Sequence, residues 1–183
     1  MADPAIPPRN FRRLDDLNEG LQGILAAAPK EAGRLDMIVV RPDREGREMP
    51  RSVRMTAARG VEGDHWFTHD RNPASQICMM MSGVIAAIAG DAAHWAPAGD
   101  NLFLDMDLTP ANMPPGTRFA IGTAEFMVTE KPHNGCQKFI DRFGRDAVLF
   151  VNTGAGKTHR LRGIYATVTK DGEVSVGDEV RKI

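Results

Sequence analysis

From residue 35 to the C-terminus, glycine, proline, asparagine and aspartate cut the chain into short apolar runs, and this punctuation restricts the fold more than any other feature. Residues 35–40, 49–55, 76–81 and 102–106 read as strands. Alternating residues follow at Phe119 and Ile121, at Phe126 and Val128, and at Ile164, Ala166 and Val168. A turn at residues 43–46 predicts a hairpin between the first two runs. Gly122-Thr123 and Asp171-Gly172 mark further hairpins, the second returning through Val174 and Val176, and a short strand closes the chain at residues 179–182. Many short strands at such intervals predict a mainly β fold, a closed or partly closed barrel with a few peripheral helices.

Helical spacing is confined to short stretches. Phe11, Leu14, Leu17, Leu21 and Ile24 or Leu25 recur with the period of an amphipathic helix, after a loose Pro-rich arm at residues 1–9 and before Pro29. Gly20 and Gly23 weaken this helix, so packing must supply most of its stability. Ser82 is placed to cap a short helix ending at Gly90, whereas residues 147–151 fit helix or strand equally well. The expected division is an arm and helix over residues 1–33 and a barrel domain over 34–183.

At 183 residues the chain has the length of one domain with a sizeable core. Its 23 basic and 24 acidic side chains give a formal net charge of -1, which offers no argument for nucleic acid or another polyanion. The start of the sequence lacks the pattern of a signal peptide, no run approaches membrane-spanning length, and Cys78 and Cys136 fit no CxxC or zinc spacing. A soluble cytoplasmic protein with reduced thiols is expected. Cys78, inside Ile77-Cys-Met-Met-Met81, reads as a small buried hydrophobe.

The stretch Thr129-Glu-Lys-Pro-His-Asn-Gly-Cys-Gln-Lys-Phe139 carries the chemistry. A strand pattern stops at Pro132 and Asn134-Gly135, and Cys136, Phe139, Ile140 and Phe143 begin a helical one that Gly144 ends. The thiol would then sit at the first turn of a helix between Lys131, His133 and Lys138, surroundings that favour thiolate and are poor company for a buried apolar cysteine.

Three other patterns bear on function. His65 and His69 have the i, i+4 spacing of metal ligands, but the flanking Gly63 and Pro73 shorten any helix there and no third ligand suggests itself. Gly154-Ala-Gly-Lys-Thr158 fails the phosphate-loop spacing and reads as a glycine-rich loop. Arg160 and Arg162, two apart on an expected strand, would share a face and grip a phosphate or carboxylate.

The cysteine stretch resembles the signature of the MOSC family, the domain found at the C-terminus of molybdenum cofactor sulfurases and in stand-alone proteins. Arg59-Gly-Val-Glu-Gly-Asp64, Ala98-Gly-Asp-Asn-Leu102, Gly116-Thr-Arg-Phe-Ala-Ile-Gly122 and Gly172-Glu-Val-Ser-Val-Gly-Asp-Glu-Val180 extend the resemblance over residues 35–183. It implies a β-barrel and a molybdenum cofactor (molybdopterin) handled by Cys136 as metal ligand, as persulfide carrier, or both. It also implies a pocket lined by Lys131, His133, Asn134, Lys138, Asp64, Arg71, Asn101, Arg160 and Arg162. Asp100 replaces the Glu usual in the family, so Asn101 carries over better than its neighbour. With no pyridoxal-phosphate desulfurase domain and no iron-sulfur motif, sulfur transfer implies a cysteine desulfurase as partner and reduction of N-hydroxylated compounds an electron-transfer protein. The alternative is a non-catalytic binding module or carrier for an anionic small molecule.

Overall fold

Seven strands close into a barrel in the computed structural model, which describes residues 11–183. In order around it run β1 (Ala32–Ile38), β10 (Glu179–Lys182), β6 (Arg118–Ile121), β7 (Ala124–Val128), β8 (Ile164–Lys170), β4 (Ile77–Met81) and β5 (Leu102–Asp105), and β5 pairs again with β1. A second sheet joins β3 (Gly60–Val61), β2 (Ser52–Thr56) and β9 (Gly172–Ser175). The arm expected at residues 1–9 lies outside the described residues.

Alternation explains which side chains fill the barrel. In β7, Ala124, Phe126 and Val128 are buried while Met127 faces out, and Phe126 stacks on Phe119 of β6 with ring centroids 5.2 Å apart. Gly122-Thr123 turns one strand into the other as expected, with Gly122 at φ +56°. β4 is buried along its whole length because the helix α3 (Ser82–Ala89) returns over it and over β5. That return is obligatory, since β4 and β5 run parallel and cannot be joined by a tight turn.

The remaining helices are short and peripheral: α2 (Trp66–His69), α4 (Gln137–Phe143), α5 (Arg145–Asn152) and α6 (Gly154–Thr158). The N-terminal helix α1 (Leu14–Ala27) buries Leu17 and Leu21, packs on α3 and α5, and has its Leu14 N-H bonded to Asp146 Oδ2 at 3.0 Å. Among the described residues no helix is long and apolar enough to cross a membrane.

Two expected hairpins are not formed. β2 does not pair with β1, and among the described residues the connection between them is closed by an isolated bridge from Val40 to Glu48, outside both strands; β9 does not return on β8 but pairs with β2. Both edges of β1 are taken by β10 and β5, and both edges of β8 by β7 and β4, so the extra strands pair with each other. Ser82 is the first residue of α3 rather than its cap, and its hydroxyl is buried without a partner. Residues 147–151 are helical, with Ala147, Phe150 and Val151 buried at i, i+3 and i+4. Gly154–Thr158 is the helix α6 rather than a loop, and Gly156 lies so close to the Phe150 carbonyl that a Cβ there would overlap it.

Candidate functional site

The strand β7 delivers the chain to Thr129, whose N-H donates to Tyr165 O at 2.9 Å and whose hydroxyl donates to Ala74 O at 2.6 Å. Residues 130–135 then cross the barrel end without regular structure. They are fixed at the far side by Asn152, which accepts from Gly135 N at 2.8 Å and donates to Gly135 O at 2.9 Å. Cys136 follows as the N-terminal flanking residue of α4, exposed to solvent, while Phe139 and Phe143 hold that helix to the core. The thiol is therefore accessible, at a backbone position fixed from both sides.

Cys136 borders a cavity of about 370 Å³ between α4, α2 and the loop at residues 41–47. Two of its arginines are neutralised inside the protein. Arg41 makes a fork to Asp64, 2.8 Å from Nε to Oδ2 and 3.0 Å from Nη2 to Oδ1, and Arg162 places Nη1 at 3.0 and 2.7 Å from the two Asp100 oxygens. Burial alone would raise Asp64, but the Arg41 bonds hold it below the usual carboxylate range; in Asp100 burial outweighs Arg162 and the pKa is raised.

The cations nearer the mouth are not balanced in this way. Among the described residues Arg47 donates only to the Arg44 and Gly46 carbonyls and its buried Nε has no partner, and burial together with Arg142 and Arg41 lowers its pKa. Lys138 and Arg142 share the one carboxylate of Glu45, at 2.8 and 3.4 Å, and that carboxylate is 75% exposed. An exposed pair of this kind contributes little to stability, so an anion can displace it.

The expected site residues separate into three groups. Cys136, Lys138, His133 and Arg162 border this cavity. Asp64 and Asn101 lie behind its wall, where they fix Arg41: Asn101 Oδ1 accepts from Arg41 Nη2 and from Cys78 N, both at 3.2 Å, and its Nδ2 donates to Asp64 at 2.9 Å. Arg71, Lys131, Asn134 and Arg160 do not border it. Arg71 is folded over the Phe67 ring with Nε on Phe67 O, and Lys131 gives its ammonium to Ser75 Oγ at 2.8 Å. Arg160 and Arg162 do not share a strand face, because Arg160 has φ +54° in a turn ahead of β8 and points instead to Leu108 O and Met113 O. His65 and His69 have rings 5.2 Å apart. Among the described residues, however, no group of three or more His, Cys, Asp or Glu is placed to hold a metal.

His133 does not meet the expectation of a cationic donor. Its side chain is 7% exposed, it lies on the Tyr165 ring with centroids 4.3 Å apart, and Nδ1 is 3.6 Å from Asp100 Oδ1 without a hydrogen bond. Burial first, then Arg162 and Arg41, lowers its pKa well below the usual 6.5. A folded pKa below the unfolded one means full stability above about pH 6.5 and a loss as pH falls from there toward the folded value. His133→Phe, which keeps the stacking and removes the titration, should flatten that loss; melting curves from pH 7.5 to 5 with equal slopes for both proteins would contradict it.

Arg41, Arg47 and Arg142 were not legible as site residues, although signals existed. Arg41, Arg44 and Arg47 recur every three residues around the turn at 43–46, and Arg142 lies one helical turn beyond Lys138. Cys78 is buried as expected, but its sulfur forms part of the cavity floor beside Arg41 Nη1 at 3.3 Å, and burial raises its pKa.

A closed barrel carrying an exposed cysteine at the mouth of a cation-lined cavity defines a class that comparison with known proteins makes specific. Residues 63–181 match the MOSC domain, and the chain belongs to that family. Among solved structures it is similar to YuaD from Bacillus subtilis, with 18% identity, a TM-score of 0.55, and coverage of 81% of this chain and 94% of that one. YiiM from Escherichia coli aligns with 24% identity, a TM-score of 0.56 and coverage of 82% and 69%. YiiM from Geobacillus stearothermophilus aligns with 17% identity, a TM-score of 0.59 and coverage of 82% and 75%. Identities this low speak for the fold alone. A comparison with curated proteins found no match.

Proposed function

We propose that this MOSC protein binds the molybdenum cofactor in the cavity beside Cys136 and uses that thiol as its ligand to the metal. The observation that carries the reading is the buried, unpartnered Nε of Arg47, held against Arg142 and Arg41 with no carboxylate of its own at the mouth of a cavity that an exposed thiol borders. Cations that outnumber their carboxylates, with Lys138 and Arg142 sharing the exposed Glu45, fit an anionic group such as the cofactor's phosphate, which Arg47, Arg142 and Lys138 would hold with charge-assisted bonds. Cys136, a soft sulfur donor, suits molybdenum, whereas Arg162 is already engaged by Asp100. When bound, the cofactor supplies a metal that changes oxidation state and can remove oxygen from an N-hydroxylated compound, with electrons from a partner protein. The neutral imidazole of His133 borders the same space and can accept a hydrogen bond at Nδ1, where no other donor occupies it.

The exposure of Cys136 favours a companion activity. Its thiolate can attack the outer sulfur of a persulfide on a cysteine desulfurase, forming Cys136-S-SH and releasing the partner's thiolate, so the number of sulfur atoms and electrons is conserved. Two free cysteines suit the cytoplasm as the place where either activity occurs.

Expression in a host that makes the cofactor tests the reading. Wild type should retain molybdenum and pterin, and Cys136→Ser should lose about tenfold in molybdenum with an unchanged melting temperature, since the residue is exposed. Equal, near-zero loading of both proteins would reject the cofactor reading in favour of a non-catalytic binder. A Cys136 that gains no sulfur mass from a loaded desulfurase would reject the carrier activity.

A further inference from the structure

A second cavity, of about 300 Å³, lies on the opposite side of the cysteine loop, with His133 bordering both spaces. Three of the four residues that do not reach the first cavity are found here: Lys131, Asn134 and Arg160. The volume is at the lower end of the range for small-molecule sites. Its walls are preformed, because Pro110, Pro115 and Pro132 have fixed φ and Val151 and Ile164 belong to an adjacent helix and strand.

Its polar groups are unequally satisfied. Lys131 gives its ammonium to Ser75 and so contributes mainly its aliphatic stem. Arg160 uses Nη2 to hold Leu108 O at 2.8 Å and Met113 O at 2.6 Å, while its Nε is buried without a partner. Burial lowers its pKa, Asp107 being the one carboxylate that opposes this. Among the described residues neither Arg160 nor the exposed Lys157 takes part in an ion pair. Glu130 on the rim is the single carboxylate among the lining residues, so positive charge is in excess. The backbone of Arg160 is held at φ +54°, a conformation uncommon for a side chain of this size, and the fold maintains it with the two carbonyl bonds.

We propose that this second cavity binds a small monocarboxylate with an apolar body. The carboxylate is met by Arg160 and Lys157, and the body lies against Pro110, Pro115 and Ile164. An inorganic anion would leave those apolar walls wet, and a neutral ring would leave the excess positive charge of Arg160 and Lys157 unmatched. The ligand would also touch the back of the loop that carries Cys136, through His133. This site does not depend on what the first cavity binds.

Titration of the full chain with benzoate and with its neutral counterpart benzamide, followed by amide chemical shifts, tests the proposal. Benzoate should perturb Asn134, Gly163 and Ile164 and bind about tenfold more tightly than benzamide. Lys157→Glu, at an exposed position, should weaken benzoate about fivefold without changing the melting temperature, and Arg160→Lys should weaken it further because one ammonium cannot both hold the Leu108 and Met113 carbonyls and meet the ligand. Shifts centred on Arg47 and Arg142 instead, equal binding of benzamide, or benzoate affinity indifferent to Lys157→Glu would each overturn it.

Discussion

Replacing Asp100 with alanine should destabilise the protein by about 3–5 kcal/mol in urea denaturation, the cost of leaving a buried guanidinium without its counter-ion. Both partners are buried, Nη1 of Arg162 lies 2.7 Å from Oδ2, and Nη2 also donates to Ala98 O at 3.0 Å, so the charge cannot swing out to water. The double variant Asp100→Leu with Arg162→Met should recover most of the loss, because burial already works against the carboxylate, whose pKa is raised despite its partner. By contrast Glu45→Ala, which removes an exposed partner of Lys138, should leave the denaturation midpoint almost unchanged. A single Asp100→Ala variant within about 1 kcal/mol of wild type would show that water reaches Arg162 and that the floor of the cavity is not dry.

The second large effect is expected at Gly163, between Arg162 and β8. Its φ is +111°, a Cβ there would overlap the Met79 carbonyl oxygen, and the same atom would lie 3.3 Å from His133 Nδ1. Gly163→Ala combines backbone strain with overpacking of backbone against backbone, for which about 3 kcal/mol is a reasonable sum. β8 would be pushed from β4, which pairs through Met79 and Ile164, and His133 with it. Two measurements follow: a lowered denaturation midpoint, and faster alkylation of Cys136 as its loop loosens. A midpoint unchanged within error would mean that the two strands part easily, against the register observed.

The barrel was legible because its information is local. Phe126 and Val128 alternate with exposed neighbours, Gly122-Thr123 turns a hairpin, and a run buried on both faces such as residues 77–81 has few alternatives. What β2 and β9 pair with was not, since it depends on which edges the closed barrel leaves free. The cysteine could be read as a loop-to-helix residue from Pro132, Asn134-Gly135 and the spacing of Phe139 and Phe143. Its cationic company could be read only in part: Lys138 follows by two residues, but Arg41 and Arg47 arrive from far upstream on a loop whose sequence says only that it turns. Arg160 and Arg162 were misplaced for a specific reason, a positive φ that no spacing rule anticipates, and it divides the two residues between two cavities.

The parallel pairing of β4 with β5 and the late arrival of β10 together bear on biosynthesis. Arg41, Cys78, Asp100, Cys136 and Arg162 come from widely separated parts of the sequence, and the ring that brings them together is completed only by residues 179–182. A chain without residues 179–182 therefore has the thiol in a ring left open between β1 and β6. Maturation of the pocket should be all-or-none, coincident with the final strand locking in, and slow relative to helical proteins of this size because so many of its pairings are distant in sequence.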